Sequence, residues 1–256
     1  MSALTGVVVA TTRADDPADA LIAALHAEGA TVRTWPTLRF APARDRAALE
    51  IAVTALEAGA FDWVVLTSPR AVRPVTELAA RAPHGVRIAA VGRRTARALL
   101  GAGWSPDVVG AGGAADLVHT MAERYDLRGA RVLFAAGSLA GPTLEDALAE
   151  AGARVARIEA YHTEALVPGG ALVRADLESG VDVVVFASPS AVEGLRRSLG
   201  VAWPTALDGS VAVAIGETTA GALEAAGVQE VPVAGEPSVN GLLEACRRAV
   251  AREVAP

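Results

Sequence analysis

The chain has no lysine, and all 23 of its basic residues are arginine. Schiff-base chemistry on lysine and a P-loop lysine are thereby excluded. Cysteine is almost as scarce: Cys246 alone builds neither a disulfide framework nor a thiolate metal site. Aromatics make up only 4% of the residues, so the core is aliphatic, drawn from Ala, Val and Leu within a 52% hydrophobic total. No apolar run approaches the ~20 residues of a membrane span. Met1 is not followed by a basic-then-apolar leader, so a cytoplasmic protein without membrane association is expected. The net charge of −6, with no basic stripe interleaved with aromatics, argues against a nucleic-acid partner. An anionic small ligand stays open, because its binding depends on local arginines and N–H groups rather than on the sum.

Familiar chemical motifs are missing too. No G-x-G-x-x-G follows the first strand, and neither a G-x-S-x-G elbow nor a Walker A sequence occurs. His26, His84, His119 and His162 are scattered without metal-ligand spacing. Neither a metal nor a cofactor is expected.

What is present is repetition. Asp62-Trp63-Val64-Val65-Leu66-Thr67-Ser68-Pro69-Arg70-Ala71-Val72 returns 120 residues later as Asp182-Val183-Val184-Val185-Phe186-Ala187-Ser188-Pro189-Ser190-Ala191-Val192. Each copy is a β-branched apolar run, read as a strand buried on both faces. Each run then meets Ser-Pro, which suits a helix N-cap and first helical position. A strand feeding a helix start leaves N–H groups and a positive dipole end at its carboxyl edge. Two further repeats accompany this one. Residues 6–32 match 129–155 without a gap, pairing Gly6 with Gly129, Leu21 with Leu144, Leu25 with Leu148 and Gly29 with Gly152. Val91-Gly92-Arg93-Arg94-Thr95-Ala96 matches Ile215-Gly216-Glu217-Thr218-Thr219-Ala220.

Taken in order, strands are expected at 6–12, 31–35, 62–67, 86–91, 107–109, 131–135, 154–158, 182–187, 211–215 and 229–233. Helices are expected at 18–28, 44–58, after Ser68, to Leu100, at 114–124 and 141–151, to Glu178, after Ser188, after Gly216 and at 238–250. Pro36 and Pro42 bracket a stretch that cannot continue a central strand. Residues 159–170, containing Tyr161, Pro168 and Gly169-Gly170, read as a second linker.

The segment from Val181 onward lacks a first βαβ unit and finds its match at the chain start. The middle segment carries the equivalent unit last. The expected architecture is therefore α/β, with residues 1–37 and 167–256 forming a discontinuous domain and 40–160 an inserted, continuous one. Each is expected to be a flavodoxin-like, parallel, five-stranded sheet. The two are related by circular permutation and joined by two crossing linkers, with ligands at strand carboxyl ends.

At those ends lie the candidate site residues. Ser68 and Ser188 are explained by capping alone or by capping plus ligand contact. Gly92 and Gly216 permit tight turns, and Thr95 and Thr219 occupy the following first turns. Arg13, Arg70, Arg93 and Arg94 cluster at such edges, and carboxylate recognition is work that arginine does well. Tyr161, in Glu159-Ala160-Tyr161-His162-Thr163, either presents its hydroxyl to a cleft or packs a hinge.

In these stretches the chain resembles the uroporphyrinogen-III synthase family, over nearly its whole length. The resemblance rests on the order of Leu66-Thr67-Ser68-Pro69-Arg70, Val91-Gly92 with Thr95-Ala96, Ala160-Tyr161-His162-Thr163, Phe186-Ala187-Ser188-Pro189 and Ile215-Gly216 with Thr218-Thr219. It implies a cofactor-free lyase that cyclises the linear tetrapyrrole hydroxymethylbilane while inverting its last ring. It further implies a substrate held between the domains, its carboxylates met at Thr67, Ser68, Thr95, Gly137, Ser138, Ser188, Gly216, Thr218 and Thr219. Tyr161 matches the tyrosine proposed to assist departure of the substrate hydroxyl as water. One position departs from the pattern. Many bacterial members carry Arg-Gly where this chain reads Ala136-Gly137, which leaves Arg13 and Arg93 as replacements for the lost carboxylate partner. A monomer is expected. The competing expectation is a two-lobed cytosolic sensor of an anionic ligand, which formation of the cyclised product would separate from the lyase.

Overall fold

The computed structural model describes residues 3–13, 19–79 and 81–253, with residues 252 and 253 described by their backbone alone. The turn expected over 13–17 and the start of the first helix at Ala18 lie outside these residues, apart from Arg13. Strand β1 (Val8–Thr11) leads to helix α1 (Ala20–Ala27), which Asp19 caps by accepting from the N–H of Leu21 at 2.9 Å. Leu21 and Leu25, one turn apart, form its buried face, and Gly29 ends the helix in the left-handed region at φ 81°. Strands β2 (Thr31–Thr34) and β3 (Leu38–Pro42) follow. Helix α2 (Arg46–Glu57) is capped by Asp45 and buries Leu49, Val53 and Leu56.

Next come β4 (Trp63–Leu66), α3 (Pro69–Leu78), β5 (Arg87–Ala90), α4 (Arg93–Gly101), β6 (Val108–Val109) and α5 (Ala114–Arg124). They are followed by β7 (Arg131–Gly137), α6 (Thr143–Glu150) and β8 (Arg154–Ala165). The chain closes with α7 (Gly170–Glu178), β9 (Val183–Phe186), α8 (Pro189–Leu199), β10 (Val211–Ala214), α9 (Glu217–Ala225) and α10 (Val239–Glu253). No helix among the described residues is long and apolar enough to cross a membrane.

The elements fall into two compact units, residues 1–39 with 164–256 and residues 40–163. In the first, the sheet order is β10-β9-β1-β2, every neighbour parallel. In the second, the order is β3-β8-β7-β4-β5-β6, parallel from β8 to β6. Parallel strands joined by helices require cover on both faces, and the side chains alternate accordingly. Trp63 and Val65 enter one core with Leu117, Met121 and Leu148; Val64 and Leu66 enter the other with Leu49, Val53 and Leu99. Likewise Val183 and Val185 pack beside Leu21, Leu25 and Leu242, whereas Val184 and Phe186 pack beside Leu195 and Leu223. Each such aliphatic side chain contributes about 2 kcal/mol by leaving water. Cys246 is buried in the same core as Leu242, and desolvation pushes its thiol up to about 12.

Two sheets of five strands were expected, and among the described residues the sheets have four and six. The strand expected at 229–233 reduces to one parallel bridge between Val233 and Ala214. Glu230 takes a left-handed φ of 52°, and Pro232 has no N–H to give a neighbour. The second sheet gains β3, whose place at the edge of the order is where Pro42 is tolerated. The linker expected at 159–170 is also partly strand, since β8 continues to Ala165.

The repeated Asp62 and Asp182 have a shared use. Asp62 Oδ2 accepts from the N–H of Arg131 at 2.8 Å, and Asp182 Oδ2 accepts from the N–H of Val8 at 2.7 Å. Each carboxylate thus pins the start of the neighbouring strand, β7 in one unit and β1 in the other.

Candidate functional site

A parallel sheet delivers its strand carboxyl ends, and the helix N-termini that follow them, to one edge. In the unit of residues 40–163 that edge carries Thr67 and Ser68 after β4, Gly92 after β5, Gly137 and Ser138 at the end of β7, and Tyr161 on β8. Ser68 caps α3, its Oγ accepting from the N–H of Arg70 at 3.2 Å. The same Oγ accepts from the hydroxyl of Tyr161 at 3.3 Å. Thr67, Ser68 and Tyr161 are half-buried.

Tyr161 reaches this position through a bulge. Ala136 pairs with Glu159, yet Gly137 pairs with Tyr161, so Ala160 is the extra residue. A bulge of this kind re-aims the side chains beyond it. The phenol then lies against Gly137, where a Cβ would sit 2.5 Å from Cζ and 2.6 Å from the hydroxyl oxygen. Ser138 N–H donates to the carbonyl of Tyr161 at 3.0 Å, and Thr163 N–H donates to Ser138 Oγ at 3.0 Å. Gly137, Ser138, Ser68 and Tyr161 are therefore one connected group. Phe40 joins it, its ring centroid 5.9 Å from that of Tyr161 at 74°, with the Arg70 guanidinium 3.8 Å above its centroid.

Helix α4 begins at Gly92 with no side-chain cap, and the exposed Arg93 and Arg94 stand in its first turn. Open N–H groups, the dipole and two guanidinium groups make that helix start receptive to an anion. Thr95 is buried. Gly92 and Gly216 do not serve tight left-handed turns. Their φ values are −171° and −177°, extended backbone that any residue adopts. An added Cβ would meet Gly112 Cα at 3.5 Å in the first case and nothing within 4 Å in the second.

In the other unit, the ends of β1, β9 and β10 are neighbours and carry Arg13, Ser188 and Gly216. Ser188 caps α8 through the N–H of Ala191 at 3.2 Å and shares a 2.9 Å hydrogen bond with Ser190 Oγ. Arg13 Nε donates to Asp19 Oδ2 at 2.7 Å, a carboxylate whose side chain is only 4% exposed. Helix α9 also starts uncapped, with Glu217 and Thr218 exposed and Thr219 buried. The acid in its first turn makes this start less anion-receptive than that of α4.

Sequence reasoning missed Phe40, a lone aromatic between two prolines that carried no signal of its neighbours. It also missed Thr12 and Thr37. Thr12 Oγ1 donates to the carbonyl of Val185 at 3.0 Å, and Thr37 Oγ1 donates to that of Thr12 at 2.9 Å. Together they tie the end of β1. Among the described residues no group of three or more His, Cys, Asp or Glu is placed to hold a metal.

Comparison with known proteins places the whole chain rather than these residues. The family model described as uroporphyrinogen-III synthase HemD matches residues 19–244. The uroporphyrinogen-III synthase of Synechococcus elongatus is 30% identical over 255 residues, covering 94% of each chain. A mutant uroporphyrinogen-III synthase from the extreme thermophile Thermus thermophilus superposes with a TM-score of 0.57 at 27% identity, over 96% of this chain and 99% of that one. The uroporphyrinogen-III synthetase of Helicobacter pylori, 16% identical, shares the fold at a TM-score of 0.60, over 97% of this chain and all of its own. With its parallel α/β sheets, a family match over residues 19–244 and a 30% identical relative covered over 94% of its length, the chain belongs to the uroporphyrinogen-III synthase family.

Proposed function

We propose that this chain cyclises hydroxymethylbilane to uroporphyrinogen III and water, inverting the last ring, as a cofactor-free lyase of tetrapyrrole biosynthesis. The observation that carries the reading is the pairing of Tyr161 with Ser68 over Gly137. It sets a phenolic proton donor beside the Ser68-capped start of α3. Electron push from the pyrrole nitrogen expels the substrate hydroxyl, and Tyr161 supplies the proton that makes it water. The substituted carbon of the last ring attacks the methylene so freed, and its older bond to the methylene of the neighbouring ring then breaks. The unsubstituted α-carbon of the last ring closes on that methylene, and the proton this carbon loses as the ring regains its aromaticity returns to the phenolate. Closure without inversion is the easy path, so the work of the protein is to hold the substrate in the geometry that favours inversion. One positioned proton donor contributes about 10²–10⁴-fold.

The substrate carboxylates are assigned to helix starts and nearby side chains, unit by unit: Thr67, Ser68, Thr95, Gly137, Ser138 and Arg93 in one, Ser188, Gly216, Thr218 and Thr219 in the other. Arg13 is the weaker of the two arginine candidates, since its guanidinium already has Asp19. Arg93 is exposed in the uncapped first turn of α4, which supports giving it the contact that Ala136 cannot make.

The same reading treats the two units as permuted copies. Under the sequence repeats β1, β2, β9 and β10 correspond to β7, β8, β4 and β5. The order β10-β9-β1-β2 then matches β5-β4-β7-β8 strand for strand, which supports the permutation. The discontinuous domain of 1–37 and 167–256, the inserted domain of 40–160, the monomeric state and the cytoplasmic location belong to this proposal. The test is an assay on freshly made hydroxymethylbilane with the product isomers separated after oxidation. The inverted isomer is expected; the uninverted isomer alone, at the spontaneous rate, would sink the reading and favour a binding protein.

A further inference from the structure

Four residues in the unit of residues 40–163 close a ring of contacts, one link of it through the backbone of Arg70. Phe40 meets Tyr161 edge to face, with centroids 5.9 Å apart. Tyr161 donates to Ser68 Oγ at 3.3 Å, and Ser68 Oγ accepts from the backbone of Arg70 at 3.2 Å. The guanidinium of Arg70 returns over the Phe40 ring at 3.8 Å. Phe40 lies on β3, at the edge of the sheet order and 37% exposed, so it is no core residue kept by burial alone. An aromatic ring in this place has two uses that an aliphatic side chain lacks. Its face attracts a cation, and its quadrupole favours a perpendicular neighbouring ring.

We infer that Phe40 is a positioning residue for the cyclisation, holding the Tyr161 phenol and the Arg70 guanidinium in fixed register beside the cap of α3. The inference rests on the proposed proton donation by Tyr161 and deepens it. Phe40 need not touch the substrate; it acts through the orientation of Tyr161. A proton donor that wanders by about 1 Å loses on the order of 10²-fold in rate, so a modest change in ring support is visible in turnover. Because the ring sits at a half-exposed edge, its replacement leaves both cores intact.

The test compares Phe40→Leu, which keeps apolar volume without the quadrupole, with Phe40→Tyr, which keeps it. Phe40→Leu should lower kcat roughly 5- to 30-fold with KM changed less than about threefold. Phe40→Tyr should return most of the rate. In a Tyr161→Phe background, Phe40→Leu should have little further effect on kcat, because the hydroxyl it positions is gone. The chain has two tyrosines, so isotope labelling of tyrosine isolates the Tyr161 ring by NMR. Without substrate, those ring resonances should move in Phe40→Leu as the neighbouring ring current is lost. Unchanged Tyr161 resonances, an unchanged kcat in Phe40→Leu, or the same fold-loss with and without the Tyr161 hydroxyl would each overturn the inference while the parent protein remained an active synthase. A parent that forms no inverted isomer would overturn the functional reading itself, and this inference with it.

Discussion

Gly137 leaves room for Tyr161: a Cβ built on residue 137 would lie 2.5 Å from Cζ of the phenol and 2.6 Å from its oxygen. Backbone and ring both sit on paired strands, so neither yields easily. Gly137→Ala is therefore expected to push the hydroxyl away from Ser68. Turnover should fall at least tenfold, and the crowding should cost about 1–3 kcal/mol of stability. Steady-state kinetics beside thermal melts check both. A fully active Gly137→Ala protein would mean that the phenol is free to move and that its seat on Gly137 has no catalytic use.

The sequence was most legible where one local rule decided the outcome. Ser68 and Ser188, each followed by Pro, read correctly as helix caps because the cap interaction spans only two or three residues. The buried runs at Trp63–Leu66 and Val183–Phe186 read correctly as strands because burial on both faces demands unbroken apolar sequence. It was least legible where pairing across the sheet decided. Glu159, His162 and Thr163 hid the continuation of β8, since an apolar-run rule sees polar residues as linker. The bulge at Ala160 has no sequence signature, yet it aims Tyr161. Phe40 and Arg70 are 30 positions apart, and nothing in either stretch announces that a guanidinium stacks on that ring.

Gly216 offers a test of ligand approach that leaves the fold alone. Its backbone is extended, and an added Cβ meets nothing within 4 Å. Gly216→Val should therefore fold, losing at most about 1 kcal/mol at the helix cap. If a substrate carboxylate approaches this turn, kcat/KM should fall tenfold or more through a raised KM. Gly92→Val should behave alike, its Cβ only in ordinary contact with Gly112. Unaltered kinetics in a folded Gly216→Val protein would remove α9 from the binding surface.

Asp62 gives a pH dependence with a defined sign. The Arg131 guanidinium, helped by the Arg131 N–H, holds its carboxyl down at about 2, below the ordinary 3.8. A carboxyl depressed on folding stabilises the protein fully above its unfolded value, and that stabilisation fades as pH falls from about 3.8 to 2. The side chain is 40% exposed, so water screens the pair and its worth is about 1 kcal/mol or less. Asp62→Asn should lower the Tm by a few degrees at pH 7. The gap between variant and parent should close near pH 2. A gap that stays constant down to pH 2 would show that the loss comes from the altered clasp on β7 rather than from charge.

Tyr161 and Ser68 form one hydrogen bond, and removing each end of it separates proton donation from packing. Tyr161→Phe keeps the ring on Gly137 and against Phe40, deleting only the hydroxyl. A half-buried hydrogen bond of 3.3 Å is worth about 1 kcal/mol or less, so the Tm should barely move. If the hydroxyl protonates the departing group, turnover should nevertheless fall roughly 10- to 1000-fold. Product from the remaining activity should still be the inverted isomer, because the groups that orient the substrate are intact. Ser68→Ala deletes the acceptor and the cap of α3 together, which costs about 1 kcal/mol of stability. Its effect on turnover should be smaller, since the phenol and the backbone N–H groups of α3 remain. The contrast is what decides. A large kinetic loss in Tyr161→Phe with a small one in Ser68→Ala assigns the proton to the phenol. Equal, small losses would make the pair a structural tie between β8 and α3, and the proton would have to come from elsewhere.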